Sequence, residues 1–93
     1  MDQKTGIKAL LALLARAPSE ALLRELFDLL FTLEEKIMIN QRCLIIQALR
    51  EGKLSQREIS QKLHVSIAQI TRGSNALKTI SPNLARLLYE SRM

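Results

Sequence analysis

The chain has 93 residues, 47% of them apolar and 25% charged, and its formal net charge is +5. This length suits one small domain and excludes a doubly wound sheet or a barrel enzyme, while the composition is that of a folded chain rather than a disordered one. The excess of basic side chains favours a polyanionic partner, although an excess of this size is also common in proteins that bind no nucleic acid.

Helical periodicity runs through the chain, and no segment alternates as a strand requires. The first predicted helix, from about Thr5 to Ala17, ends before Pro18, because a residue that precedes proline is pushed out of helical geometry. Its wholly apolar stretch, residues 9–15, is much shorter than the ~20 residues of a membrane span, so we expect no membrane partner. The second predicted helix runs from about Ser19 to Leu30.

Four further helix starts carry a hydroxyl residue as the N-terminal cap: Thr32, Ser55, Ser66 and Ser81. In the first three, a Glu or Gln follows three positions later, which is the pattern of a capping box. The third helix ends at Gly52, the fourth near His64 and the fifth near Lys78, and Pro82 opens the sixth. The sequence therefore predicts an all-α fold of six helices. Its single Cys43, which allows no disulfide, indicates a reduced, cytoplasmic protein.

The first two predicted helices are apolar on more than one face. Their large apolar residues are Ile7, Leu10, Leu11, Leu13, Leu14, Leu22, Leu23, Leu26, Phe27, Leu29 and Leu30. A domain this small has too few other helices to cover them, so we predict a homodimer in which a second copy supplies the cover. A compact monomeric bundle is the alternative. A helix lying on a membrane surface is disfavoured, because the polar face has too few Lys and Arg.

Residues 55–78 have the pattern of a helix-turn-helix, with a bracing helix, a tight turn and a second helix that has a narrow core face. The predicted inner residues are Ile59, Leu63, Val65, Ile70 and Leu77. This leaves an outward face of small and polar side chains suited to base edges: Ile67, Ala68, Thr71, Arg72 and Asn75. Residues 55–93 carry six basic and two acidic side chains, and Arg57, Lys62 and Lys78 are candidates for phosphate contacts. A helical hairpin with an ordinary solvated face is the alternative.

Gly73 lies inside the fifth predicted helix, where glycine costs ~1 kcal/mol relative to alanine. Such a residue is expected where the backbone lies close to another helix or to a ligand. Arg72 precedes it, and Arg42 lies on the third helix. Two guanidinium planes can enclose a flat aromatic ring and still reach a carboxylate, although two solvated arginines are the simpler interpretation.

The run Gln69-Ile70-Thr71-Arg72-Gly73-Ser74-Asn75-Ala76-Leu77-Lys78, preceded by Ser55-Gln56-Arg57-Glu58-Ile59, closely resembles the tryptophan-dependent trp operon repressor family. The resemblance extends from about Leu29 to about Leu88 and is poor over the first twenty residues. It implies an intertwined homodimer that binds palindromic double-stranded operator DNA through its helix-turn-helix, a docking mode already known for the Trp repressor. It also implies that L-tryptophan acts as a corepressor rather than as a substrate.

The resemblance also implies roles for particular residues. Arg42 and Arg72 would enclose the indole ring, Arg72 would hold the carboxylate, and Gly73 would lie beside the ring. Leu29, Phe31 and Thr32 would receive the α-amino group, partly from the other subunit. The implied base-facing residues are Arg57, Ile67, Ala68 and Thr71, and those implied to contact the DNA backbone are Gln56, Ser74, Asn75 and Lys78.

Three features depart from the family pattern. Ala76 stands where a serine is often found near the ligand, and Ser60 stands where a lysine often reaches the DNA groove. The segment His64-Val65-Ser66 replaces a turn that contains glycine. We expect these departures to remove one ligand contact, to alter operator preference and to stiffen the turn.

The predicted organisation is one folded domain with three parts. Residues 1–54 form a dimerisation core, residues 55–79 the helix-turn-helix that reads DNA, and residues 80–93 a C-terminal helix that returns to the core. We expect a tryptophan-responsive transcriptional repressor with no catalytic residues, no metal and no cofactor besides the corepressor. A helix-turn-helix protein with another ligand or none, and a helical protein-interaction module, are the alternatives.

Overall fold

A computed structural model describes residues 4–90 of the chain. Within those residues all regular structure is α-helical, which confirms the predicted class. The six helices are α1 (Thr5–Arg16), α2 (Glu20–Leu30), α3 (Leu33–Glu51), α4 (Gln56–Leu63), α5 (Ile67–Leu77) and α6 (Pro82–Glu90). The homodimer is not tested by a single chain and stays a prediction.

The predicted N-terminal caps are present. The backbone N–H of Glu35 donates to Thr32 Oγ1 at 3.2 Å, and the N–H of Thr32 donates to Glu35 Oε1 at 2.8 Å. The same reciprocal pairing joins Ser55 to Glu58 and Ser66 to Gln69. Two simpler caps, in which a serine hydroxyl accepts one backbone N–H, begin α2 at Ser19 and α6 at Ser81. Local chemistry therefore fixes where these helices start.

The helix ends follow the same local logic. Ala17, which precedes Pro18, has extended backbone geometry, so α1 ends one residue earlier than its predicted bound. Gly52 follows α3 with φ of +68°, and His64 follows α4 with φ of +56°. The left-handed region suits glycine but is uncommon for other residues, so the turn between α4 and α5 is built around a less favourable residue.

The chain forms two compact units, one ending at Lys36 and the other beginning at Ile37. In the first unit the Lys36 ammonium lies 2.7 Å from the Asp28 carboxylate, and the rings of Phe27 and Phe31 are 5.1 Å apart. No residue within α1 or α2 is buried in the single chain. Large apolar side chains of these two helices therefore remain in contact with solvent.

The second unit contains the hydrophobic core. Its buried residues are Ile45, Ile59, Val65 and Ile70, and Ala48, Leu49, Leu54 and Leu63 pack against them. Three of the residues predicted to face inward in the helix-turn-helix, Ile59, Val65 and Ile70, are therefore confirmed as buried, while Leu63 and Leu77 are half-buried. Among residues 4–90, no helix combines the length and the apolar character needed to cross a membrane.

Candidate ligand cavity and nucleic-acid interface

A cavity of about 380 Å³ lies between α3 and α5 in the second unit. Its lining residues are Met38, Arg42, Ile45, Ile46, Gln69, Arg72, Gly73 and Ala76. The volume lies within the range of small-molecule sites in proteins, about 300–1,000 Å³. The two arginines singled out in the sequence, Arg42 and Arg72, thus come from different helices to line the same space.

The four residues that α5 contributes to the cavity are spaced i, i+3, i+4 and i+7, so they form one stripe of the helix: Gln69, Arg72, Gly73 and Ala76. Another stripe of α5, containing Ala68, Thr71 and Asn75, is exposed. Ile70 lies on a third side of α5 and is fully buried. A ligand in the cavity would therefore contact the same helix that presents the predicted DNA-reading side chains.

Gly73 lies where α5 comes closest to α3. A Cβ atom built at this position would lie 3.1 Å from Ile45 Cγ2, 3.5 Å from Leu49 Cδ1 and 3.6 Å from Ile46 Cδ1. Because the first distance is shorter than an ordinary van der Waals contact, packing against α3 is sufficient reason for a glycine here. Of the two possibilities that the sequence left open, close approach to a helix is thus observed, and Gly73 also lines the cavity.

The charged side chains that line the cavity are all cationic. Met38, Ile45 and Ile46 supply apolar walls, while Arg42 and Arg72 supply two cationic donor groups. Gln69 Oε1 already accepts from the Ser66 N–H at 2.9 Å, so the capping box holds this side chain in place. Apolar walls beside guanidinium groups suit a flat apolar ring that carries a carboxylate. Ala76, one of the three expected departures from the family pattern, also lines the cavity and offers no hydroxyl.

The other three predicted ligand residues lie in the first unit, around the end of α2. Leu29 is 79% exposed, Phe31 ends the helix with extended geometry, and Thr32 caps α3. The N–H and hydroxyl of Thr32 are both engaged with Glu35. A helix C-terminus carries unpaired, partly negative carbonyls that can accept from an ammonium group. The predicted set is therefore divided between the two units, with Arg42, Arg72 and Gly73 in the second.

The predicted DNA-contacting side chains lie on α4, on α5 and at the end of α5. Those that are exposed are Gln56, Arg57, Ile67, Ala68, Thr71, Asn75 and Lys78. Ser74 is half-buried. Lys78 Nζ donates to Asn75 Oδ1 at 3.4 Å, which groups these two side chains at the end of α5. Ile67, an apolar residue in the first turn of α5, is 47% exposed.

Two features of the helix-turn-helix modify its local electrostatics and geometry. The backbone N–H of Ser55 and, to a smaller extent, its hydroxyl form hydrogen bonds with the Glu58 carboxylate. These bonds lower the pKa of Glu58 below its ordinary value of 4.5. In the turn, Ser60 Oγ donates to the Val65 carbonyl at 2.6 Å. Sequence reasoning noted Ser60 only as a departure from the family pattern, and its hydrogen bond to the turn was missed.

A family model described as "Trp repressor protein" matches residues 5–92. The chain belongs to the Trp repressor family. The match begins at residue 5, so it reaches further towards the N-terminus than Leu29, where the resemblance was expected to begin. This is a family of transcription regulators and not of enzymes, and the arrangement of α4, the turn and α5 agrees with its helix-turn-helix fold.

Curated relatives with the name "Trp operon repressor homolog" agree with the family match. The protein from Chlamydia trachomatis serovar D is 45% identical over 89 residues, which are 96% of this chain and 95% of the relative. The protein from Chlamydia caviae is 46% identical over 87 residues, covering 94% of this chain and 86% of the relative. The protein from Haemophilus influenzae strain PittEE is 40% identical over 82 residues, covering 88% and 81%. The similarity thus spans more than four fifths of each protein.

Proposed function

We propose that this member of the Trp repressor family is a tryptophan-responsive transcriptional repressor. As a homodimer it binds palindromic operator DNA through α4 and α5, and L-tryptophan acts as its corepressor. The observation that carries the proposal is the cavity that Arg42 and Arg72 line together, because it lies against the helix that bears the exposed side chains Ala68, Thr71 and Asn75. A repressor acts on the chromosome, so the proposal also places the protein in the cytoplasm.

In this proposal the indole ring lies between the guanidinium groups of Arg42 and Arg72. Stacking on a planar cation is favourable for an aromatic ring, and the forked donors of Arg72 match the carboxylate. Gly73 leaves room beside the ring. Leu29, Phe31 and Thr32 mark the helix end that receives the α-amino group, partly from the second copy, which agrees with the charge preference of a helix C-terminus.

On the DNA side, Arg57, Ile67, Ala68 and Thr71 face the base edges of a major groove. The residues that hold the DNA backbone are Gln56, Ser74, Asn75 and Lys78. The N-terminus of α5 begins at the capped Ser66, where free N–H groups favour a phosphate. Base contacts supply sequence preference and phosphate contacts supply register and most of the salt-dependent affinity.

Tryptophan regulates the protein by shifting a conformational population. A ligand favours the DNA-competent state only to the extent that it binds that state more tightly than the other. A ligand that contacts both α3 and α5 meets this requirement, because both sets of contacts form only when α5 has the position that binds DNA. Two such helices related by a two-fold axis would meet successive major grooves, about 34 Å apart, of a palindrome.

The proposed dimer covers the apolar surface of the first unit. Ile7, Leu11 and Leu29 are 61%, 58% and 79% exposed in the single chain. A groove of about 650 Å³ also runs between α1 and α2, lined by Leu13, Arg16, Ala17, Leu22, Glu25, Leu26 and Leu29. Many exposed large apolar side chains on two helices are typical of a protein interface, and a second copy is the partner that the family implies.

The proposal is tested by measuring binding to a palindromic trp-type operator with and without L-tryptophan, at one fixed salt concentration. We expect tighter binding with tryptophan and little binding to a scrambled duplex of the same length. Equal operator binding in both conditions would reject the corepressor role and leave a helix-turn-helix protein with another ligand or none, which calorimetry with indole analogues would then distinguish. Loss of steep salt dependence would favour a protein-interaction module instead.

A further inference from the structure

We propose that Ser60 is a positioning residue of the DNA-reading unit. Its hydroxyl holds the turn that sets α5 against α4, and through this turn it raises operator affinity without touching DNA. The inference rests on the proposed DNA-binding function, and it assigns a role to one of the positions where the chain departs from its family's pattern.

Three hydrogen bonds converge on Ser60 at the end of α4. Its carbonyl oxygen accepts from the backbone N–H of Val65 at 3.2 Å and also from that of His64. Its hydroxyl donates to the Val65 carbonyl at 2.6 Å. The carbonyl and the hydroxyl of Ser60 thus bind the backbone N–H and C=O of Val65, which is the residue before the N-cap of α5. The first residues of α5 are therefore tied to the last turn of α4.

The surroundings of the turn make this hydroxyl hard to replace by water. Val65 is only 6% exposed and belongs to the core cluster with Ile59 and Ile70, and the bond from Ser60 to its carbonyl is partly buried. A partly buried carbonyl that loses its donor is poorly satisfied by water, which is unfavourable. His64 also has a positive φ of 56°, a geometry that is uncommon for a residue with a Cβ atom. Without the hydroxyl we expect the turn to open more often.

The same bond excludes Ser60 from phosphate contact. A serine hydroxyl has a single hydrogen to donate, and a phosphate oxygen needs a donor. Ser60 gives that hydrogen to Val65, and the residue is half-buried. Its effect on DNA binding must therefore pass through the geometry of α5 and not through a contact of its own.

The test compares Ser60→Ala with Ser60→Thr, which keeps the hydroxyl, and with Ser81→Ala as a matched control. Ser81 loses the same group from the cap of α6, where it accepts from the Leu84 N–H at 3.1 Å, outside the helix-turn-helix. Folding of each variant is checked by circular dichroism. Operator affinity is then measured over a range of salt concentrations at saturating L-tryptophan, and backbone amide exchange is measured without DNA.

We expect Ser60→Ala to weaken operator binding by roughly 3- to 10-fold, which is the effect of losing one hydrogen bond. The slope of log affinity against log salt should equal that of the wild type, because no phosphate contact is lost. Amides of residues 65–70 should exchange faster in Ser60→Ala. Ser60→Thr should restore both properties towards wild type, and Ser81→Ala should change neither.

Several results would overturn the proposal. Unchanged affinity and exchange in Ser60→Ala would show that the hydroxyl does not hold the turn, and a salt slope reduced by about one would show that Ser60 contacts a phosphate. A folded Ser60→Thr that behaves like Ser60→Ala would show that the hydrogen bond is not the cause; if Ser60→Thr does not fold, the comparison of Ser60→Ala with Ser81→Ala decides. A wild type that binds no operator would reject the proposed function, while the exchange data, which need no DNA, would still test the turn.

Discussion

A Cβ atom on Gly73 would lie 3.1 Å from Cγ2 of Ile45, a core residue that is 2% exposed. The backbone of α5 therefore approaches α3 more closely than a side chain at this position allows. In an unhindered helix, replacing glycine with alanine gains ~1 kcal/mol of stability. We predict that Gly73→Ala fails to give this gain and that Gly73→Val lowers the free energy of unfolding by about 1–3 kcal/mol, as overpacked cores do. Urea unfolding measures both.

The matched control for this prediction is Gly6→Ala. Gly6 also lies within a helix, α1, but a Cβ atom there would meet nothing within 4 Å. This variant should be as stable as the wild type or more stable by up to about 1 kcal/mol. If Gly73→Ala were stabilised as much as or more than Gly6→Ala, the close approach of α3 and α5 would be wrong.

His64 gives a second prediction, about the turn between α4 and α5. Its φ of 56° lies in the left-handed region, which costs ~1–2 kcal/mol for a residue with a Cβ atom. Glycine avoids that cost but has a more disordered unfolded state, so we expect His64→Gly to be equal to the wild type or more stable by up to about 1 kcal/mol. A β-branched residue is worse still in this geometry, and His64→Ile should be destabilised. Thermal unfolding that ranks His64→Ile above His64→Gly would contradict the observed turn.

Glu58 gives a pH-dependent prediction. Its pKa is lowered by hydrogen bonds from the backbone N–H and the hydroxyl of Ser55, so the folded state favours the ionised carboxylate. The resulting stabilisation is present above the ordinary pKa of about 4.5 and is lost as pH falls through the lower, folded-state pKa. Glu58→Gln keeps a capping side chain but does not titrate. We therefore expect the wild type to lose stability relative to Glu58→Gln between pH 6 and pH 3; a constant difference would show that the capping bond does not depend on charge.

The exposed apolar surface of the first unit gives a prediction about assembly. Analytical ultracentrifugation at micromolar concentration should show a dimer. Leu22, 46% exposed and part of the groove between α1 and α2, is a suitable site for disruption, because Leu22→Glu would place a charge in the proposed interface. Arg24→Glu, which changes a side chain that is 76% exposed on α2, is the control and should remain dimeric. A monomeric wild type would contradict the proposed dimer.

Much of the fold could be predicted because its signals are local. Thr32, Ser55 and Ser66 each accept a hydrogen bond from a residue three positions later, so four consecutive residues define each helix start. Small errors appear where the cap residue was counted as helix: Ser19 is an N-cap and Ala17 a C-cap. The inner face of the helix-turn-helix was predictable for the same reason, since Ile59 and Ile70 follow helical spacing and are fully buried.

The rest depends on contacts that the sequence does not encode at short range. Gly73 was compatible with a ligand or with a helix, and only the distance to Ile45 identifies the helix. The bond from Ser60 to the Val65 carbonyl follows no periodic pattern, so it was not foreseen. The proposed ligand residues lie in both units, and a contribution from a second copy would leave no trace in the order of residues along one chain.

We propose that a ligand held by Arg42 and Arg72 controls operator binding. The most direct test is to measure, in three proteins, the ratio of operator affinities with and without L-tryptophan. The wild type should bind more tightly with tryptophan. Arg72→Ala should bind tryptophan about 10- to 100-fold more weakly, as expected for lost charged hydrogen bonds, and give a ratio near one at wild-type saturating concentration. Arg86→Ala, an exposed arginine of α6 that does not line the cavity, should keep the wild-type ratio. A ratio of one in the wild type, or an undiminished ratio in Arg72→Ala, would contradict the account.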